Sequence, residues 1–418
     1  MAARRVPEPR VLRGPVWIWA LCGTLLMQAV ASFVTQSLPV IAPLITASAG
    51  MSPESIGNFS ALVAGGTLLF LLLGGPFLLR WGPVRTLQLG AALSALGLLA
   101  AAAGTPAALV VASLLLGIGY GPSPPAGSQI LAATAPPRHR SLIFSVKQAG
   151  APLGGACAGL VTAPIAAAFG WSLALLVAVG TACIAIVAIQ PLQQALDSER
   201  DRGRPLNLRG LLRPSVLFAP IGALRLHPVL PLLTVLGVSF AALQGCLFAF
   251  TVTWLTQIHG LSLVQAGAAF ASMQAAGVVA RVLLGWLADR TGTPIRNLLV
   301  QAVVASACAL AFGAMPRGFP LPGIHLLAAV CGFLAASWNG IYLAEVARLV
   351  PARDVSNATV GSTLFIFFGY LAAPAGFALI VSASGSWSLP LALFAGQLAV
   401  VAGVVFLALR RIEGRAVG

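Results

Sequence analysis

The chain has 418 residues, of which 59% are hydrophobic and only 8% charged, and it carries a formal net charge of +15 at pH 7. Its mean hydropathy is +0.96. A soluble domain carries about 25% charged residues, so a soluble fold is excluded; uncharged runs of about 18 or more residues, each long enough for a bilayer core about 30 Å thick, recur along the whole chain.

Taken in chain order, these runs predict an all-α membrane protein of twelve transmembrane helices. Barrel strands would alternate apolar and polar residues over segments of about ten, and none is visible. The opening MAARRVPEPRVLRG leads into an apolar run too long for a signal peptide and without a cleavage site. We read it as an uncleaved first span, 15–38. Further spans are expected at 55–79, 85–104, 107–134, 141–168 and 171–195. In the fourth, YGPSPPAG (120–127) places three prolines, which predict a kink. The polar stretch DSERDRGRPLNLRGLLRPS then separates six spans from six. The remaining spans fall at 228–257, 263–288, 297–314, 321–349, 355–382 and 387–409. The organisation is thus a six-helix bundle (1–195), a basic cytoplasmic linker (196–227) and a second six-helix bundle (228–418).

The positive charge is distributed by topology. With the amino terminus inside, 24 basic residues fall in inner tails and loops except Arg317, Lys147 and Arg281. The positive-inside rule is met in one orientation only, with both termini cytoplasmic, so the charge is topological and not a nucleic-acid footprint. The heavy use of Ala, Gly and Arg over Lys suggests a GC-rich bacterial genome, and a bacterial inner membrane is expected. The six cysteines all lie within spans, without a CxxC pair, and are expected to pack as small apolar residues. No metal or cofactor motif is present, no enzyme is expected, and the bilayer and a small substrate are the partners foreseen for a monomer.

GPFLLRWGPVR (75–85) and GWLADRTGTPIR (285–296) repeat one another: Gly75, Arg80 and Gly82 match Gly285, Arg290 and Gly292 at a constant offset of 210. Gly119, Gly127 and Arg140 likewise match Gly332, Gly340 and Arg353. GWLADRTG resembles the G-x-L-A-D-R-x-G loop signature of the major facilitator superfamily, and the layout is similar over essentially the whole chain. The resemblance implies two pseudo-symmetric six-helix bundles and alternating access. It implies gating roles for Asp289, Arg290, Gly285, Gly292 and Arg80. The first-half copy departs from the signature, with Leu79 where the second half has Asp289. Ala151-Pro152-Leu153-Gly154-Gly155 falls one residue short of the family's antiporter motif G-P-x-x-G-G.

Few charges remain inside the spans. Lys147, the only lysine, lies about 10 Å into helix 5, and Arg281 about 12 Å into helix 8. Positions 147, 150, 151, 154 and 158 read Lys, Gly, Ala, Gly, Ala, and positions 274, 277, 278, 281 and 285 read Gln, Gly, Val, Arg, Gly. Small residues at helical spacing mark close helix contacts, so both cations are expected to point into the protein rather than snorkel. The family resemblance implies that helices 5 and 8 face each other across the halves. Lys147 and Arg281 would then share one cavity and grip an anion between them. Gln36, Tyr120, Gln148, Gln244, Gln274 and Asn339 are candidates to bond its polar groups. Glu345, the one carboxylate within a span, either pairs with Arg348 at the inner gate or carries protons. The reading is a transporter of a small organic anion, a mono- or dicarboxylate, by proton-coupled uptake or anion exchange. The alternative is an efflux carrier for neutral or cationic compounds in which Lys147 and Arg281 are structural.

Overall fold

The computed structural model describes residues 15–136, 140–197, 200–201, 203, 221–351 and 354–417. Arg138, Arg353, the first tail and most of the 196–227 stretch lie outside them. Among the described residues, twelve helices are long and apolar enough to cross a membrane. We number them α1 (Val16–Val40), α2 (Pro53–Leu73), α3 (Pro83–Ala101), α4 (Pro106–Thr134), α5 (Ile143–Phe169), α6 (Trp171–Leu196), α7 (Val229–Gln257), α8 (Leu263–Thr291), α9 (Pro294–Gly313), α10 (Leu321–Arg348), α11 (Asn357–Ser384) and α12 (Ser388–Ile412). The fold is two six-helix bundles. In the first, α1 packs on α5, α2 on α4, and α3 on α4 and α6; in the second, α7 packs on α11, α8 on α10, and α9 on α10 and α12. The same pairings recur six helices apart, as the repeated loop motifs lead one to expect.

Lipid tails are as apolar as leucine, so helices in a membrane hold together by close approach rather than by exclusion of water. Glycines supply that approach here. A methyl on Gly117 of α4 would strike the Val63 carbonyl of α2, and one on Gly332 of α10 would strike the Met273 carbonyl of α8. Gly82 and Gly292, the two loop copies, turn with φ of 88° and 62°. That left-handed region is open to glycine without the Cβ penalty, which accounts for the repeat at this position.

Helices α4, α10 and α5 are interrupted within their length. α4 divides into Pro106–Tyr120 and Ser123–Thr134 at the predicted prolines. α10 divides into Leu321–Ala335 and Asn339–Arg348 without any proline, a break the sequence did not announce. α5 is interrupted after Gln148 and carries a π-turn at Ala158–Thr162.

Candidate substrate cavity

A cavity of about 870 Å³ lies between the bundles, walled by α1, α2, α4 and α5 on one side and by α7, α8, α10 and α11 on the other. It reaches the face bearing the end of α2 and the start of α11, where Leu79 and Val360 are exposed. At the opposite face the bundles meet. There Ser382 donates to the Glu54 carboxylate at 3.0 Å. A methyl on Gly57 of α2 would strike the Pro374 carbonyl of α11, and one on Gly159 of α5 the Gly267 carbonyl of α8.

Among the described residues Arg281 is the only charged one in the cavity lining. Its Nη1 donates to the Gln148 carbonyl of α5. Its Nη2 donates to the Ala336 carbonyl of α10 at 3.2 Å. Both acceptors are available for local reasons. In an α-helix the Gln148 carbonyl would accept from residue 152, which is Pro152 and has no N–H. Ala336 sits in the break of α10. The guanidinium therefore bridges two bundles through carbonyls released by two helix breaks, and its Nε is left buried and unpaired.

Polar groups without full partners surround it. Gln244 Oε1 accepts from the Tyr370 hydroxyl at 2.8 Å and from Trp338 Nε1 at 2.9 Å. Gln28 Nε2 donates to the Tyr120 hydroxyl at 3.3 Å. Gln28 Oε1 and Gln274 Oε1 are buried with no partner. Tyr120 and Tyr370 lie within electrostatic range of Arg281. Phe70, Phe248 and Phe367 give the lining an apolar, aromatic character. A planar cationic fork among hydroxyls and amides in an apolar cleft is equipped to orient a small anion with an apolar body.

Of the residues predicted from sequence, Gln36, Tyr120, Gln148, Gln244, Gln274, Arg281 and Asn339 all line this cavity. Lys147 does not. It is 1% exposed, and its Nζ donates to the Ser123 carbonyl of α4 at 3.3 Å. A methyl on Gly127 of α4 would lie 2.6 Å from Lys147 Cε, with Thr24 of α1 alongside. The expected meeting of Lys147 and Arg281 across one cavity is therefore corrected. The small-residue stripe does mark a close contact, but with α1: Gly150 abuts Gln28 and Leu25, and Gly154 abuts Ala29 and Phe33. Lys147 continues that stripe into the groove between α1 and α4. The neighbouring face of α5, with Gln148, Ala151 and Pro152, is the one that looks into the cavity.

The residues assigned to the gate are dispersed. Asp289 and Arg290 are exposed at the end of α8, with the Arg290 guanidinium 5.2 Å from the Trp286 ring centroid. Among the described residues Asp289 makes no ion pair. Gly285 has open space beside it, Gly292 caps α8 in the left-handed conformation, and Arg80 ends the short helix Gly75–Trp81. Glu345 and Arg348 come together. Arg348 Nη2 and Nε donate to the two carboxylate oxygens at 2.5 and 2.8 Å, and the Glu345 side chain is buried.

Three residues escaped the sequence reading. Gln28 extends the α1 stripe toward Gln36 by two turns, and Tyr370 is one of only three tyrosines in the chain. Both signals were available. Asp197 was not recoverable, because it acts 113 residues away: its Oδ1 accepts from the Val84 amide at 2.7 Å, and its Oδ2 accepts from the Arg85 amide at 3.2 Å. It thereby caps α3 from the end of α6. Burial pushes the Asp197 carboxyl up from its usual range, and the two amides and nearby Arg200 oppose that.

The model of the Major Facilitator Superfamily matches residues 24–359. The chain belongs to this family. Among similar proteins, the 4-hydroxybenzoate transporter PcaK of Pseudomonas aeruginosa is 30% identical over 61% of this chain and 62% of its own length. The chain thus spans less than two thirds of that relative. The gallate transporter of Pseudomonas putida is 25% identical over 66% of each chain, and the hexuronate transporter of Bacillus subtilis 30% identical over 35% of each. Among solved structures, a bacterial homolog of the human lysosomal transporter Spinster, in an inward-facing and unoccupied conformation, aligns with a TM-score of 0.75 at 15% identity, covering 96% of this chain and 98% of that one. At such identity the likeness concerns the fold alone.

Proposed function

We propose that the protein moves a small organic anion, a mono- or dicarboxylate, across a bacterial inner membrane by alternating access, with Arg281 as the anchor for the carboxylate. The observation that carries this reading is the lone guanidinium in the cavity, held only by two backbone carbonyls and with an unpaired Nε. A carboxylate offers it a bidentate, oppositely charged partner, which carbonyl dipoles do not. A single cation favours one carboxylate over two, and the aromatic lining favours a ring or other apolar body. The substrates named for the relatives above, 4-hydroxybenzoate, gallate and hexuronate, are all carboxylates, which supports the same class. Gln244, Gln274, Tyr120, Gln36, Gln148 and Asn339 would meet the hydroxyl groups such compounds carry.

Asp289, Arg290, Gly285, Gly292, Arg80 and the Glu345–Arg348 pair we read as gate parts of the open face. An exposed Asp289 is what a released latch presents. On the positive-inside argument that face and both termini are cytoplasmic, the 196–227 stretch joins the bundles there, and a monomer suffices. Transport would be proton-coupled uptake or anion exchange. Efflux of neutral or cationic compounds is the competing reading. The placement of Lys147 fits a structural role for that cation, but a guanidinium at the cavity wall opposes cationic cargo.

The test is thermal stability of the purified protein against a panel of carboxylates, beside Arg281→Ala. A ligand bound only by the native state must raise its melting temperature. A rise with one carboxylate that vanishes in the variant is the expected result. A rise with cationic or neutral drugs alone would transfer the case to efflux.

A further inference from the structure

We propose that this carrier is an obligatory exchanger: its cavity changes sides only with an anion on Arg281, so the import of one small carboxylate returns another. The inference rests on the anion reading above and adds the mode of coupling.

The chain has nine carboxylates, and among the described residues none lines the cavity. Glu54 accepts from Ser382 at the closed face. Asp197 caps α3. Asp201 and Asp289 are exposed and Asp354 precedes α11, all at the arginine-rich face. Glu345 is occupied by both nitrogens of Arg348. Glu8, Glu199 and Glu413 belong to the tails and the connecting stretch. Among the described residues no histidine lines the cavity either, and His325 is paired with Ser272 at 2.8 Å. A symporter that returns empty needs a group that gives up its proton when the substrate leaves, so that its negative charge balances Arg281 and the cavity closes neutral. Among the described residues the lining supplies Tyr120 and Tyr370, phenols that are protonated at neutral pH and so offer no negative charge to balance Arg281, and no carboxylic acid.

The charge on Arg281 is therefore balanced by cargo alone. In the open cavity water reaches the site. Closing the open face removes that water and leaves a guanidinium facing the carbonyls of Gln148 and Ala336. Dipoles stabilise a buried charge far less than a carboxylate does. Lys147, behind the α4 wall with a single carbonyl acceptor, adds a second positive charge to the same region. The loaded carrier buries an ion pair at Arg281 and the empty one a bare cation, so the empty carrier is the one that stalls.

The decisive experiment uses the full-length protein in liposomes with labelled 4-hydroxybenzoate, gallate and glucuronate as probes. Vesicles hold either the same unlabelled anion or none. We expect label to enter loaded vesicles at least about 100-fold faster than empty ones, with no rescue of the empty ones by an acidic exterior or by a membrane potential. In Arg281→Gln, which removes the charge, the gap between loaded and empty vesicles should narrow although uptake is weak. Net accumulation in empty wild-type vesicles under an acidic exterior would overturn exchange in favour of proton symport. Loss of that accumulation in Lys147→Met would then name the amine as the proton carrier. If no probe enters loaded or empty vesicles while cationic compounds do, the anion reading itself falls, and exchange with it.

Discussion

Lys147 and Arg281 start from the same description: a cation about halfway into a helix, on a stripe of small residues, with no carboxylate within reach. Their surroundings differ completely. Arg281 stands in the cavity wall, spans the two bundles through carbonyls of α5 and α10, and keeps a donor unpaired. Lys147 is sealed between α1, α4 and α5 against one carbonyl, with Gly127 making room for its stem. A small-residue stripe guarantees a close neighbour, and the neighbour need not be the cavity. The cation is a functional candidate only where the tightly packed face and the cavity face coincide, as they do on α8.

That contrast is open to direct attack. Arg281→Gln should cut carboxylate transport by at least about 100-fold, the loss expected for a buried charge pair of about 2.7 kcal/mol, while the purified protein remains folded. Gly154→Ala and Gly155→Ala separate the two faces of α5. At Gly154 a methyl strikes the Ala29 carbonyl of α1, backbone that cannot step aside, so a loss of about 1–3 kcal/mol in stability should appear as a lower melting temperature. At Gly155 the methyl's nearest neighbours are atoms of the Gln274 side chain, its amide nitrogen first. Folding should survive there, and apparent affinity should fall about fivefold, the worth of one displaced hydrogen bond of about 1 kcal/mol. Lys147→Met should change least. Transport should stay within about threefold, under about 0.7 kcal/mol, and the melting temperature should hold or rise, because an isolated buried charge is costly to keep. Transport lost as completely in Lys147→Met as in Arg281→Gln would erase the contrast and bring Lys147 into the site.

Much of the site was legible because spacing along a helix is local. Gln36, Gln148, Gln244, Gln274, Arg281 and Asn339 could be picked out as polar residues deep in apolar spans, where hydrocarbon makes a polar group expensive without a purpose. What failed was direction. Residues 147 and 148 are adjacent in α5, yet one side chain enters the α1–α4 groove and the other faces the cavity. That choice depends on which helix lies on which side. The break in α10 was equally illegible, because Ala-Ala-Ser-Trp carries no proline or glycine to mark it, whereas the prolines of α4 announced theirs.

The sequence by itself determined the class of molecule, the number of spans, the orientation favoured by its arginines, the two-fold repetition and the short inventory of buried charges. These follow from hydropathy and from counting, which need no partner helix. Tertiary structure decided which buried cation meets the cavity, which carbonyls hold it, and that Asp197 caps a helix 113 residues away. Those outcomes belong to packing between bundles, where a rotation of about 100° per residue about a helix axis separates a wall from what lies behind it.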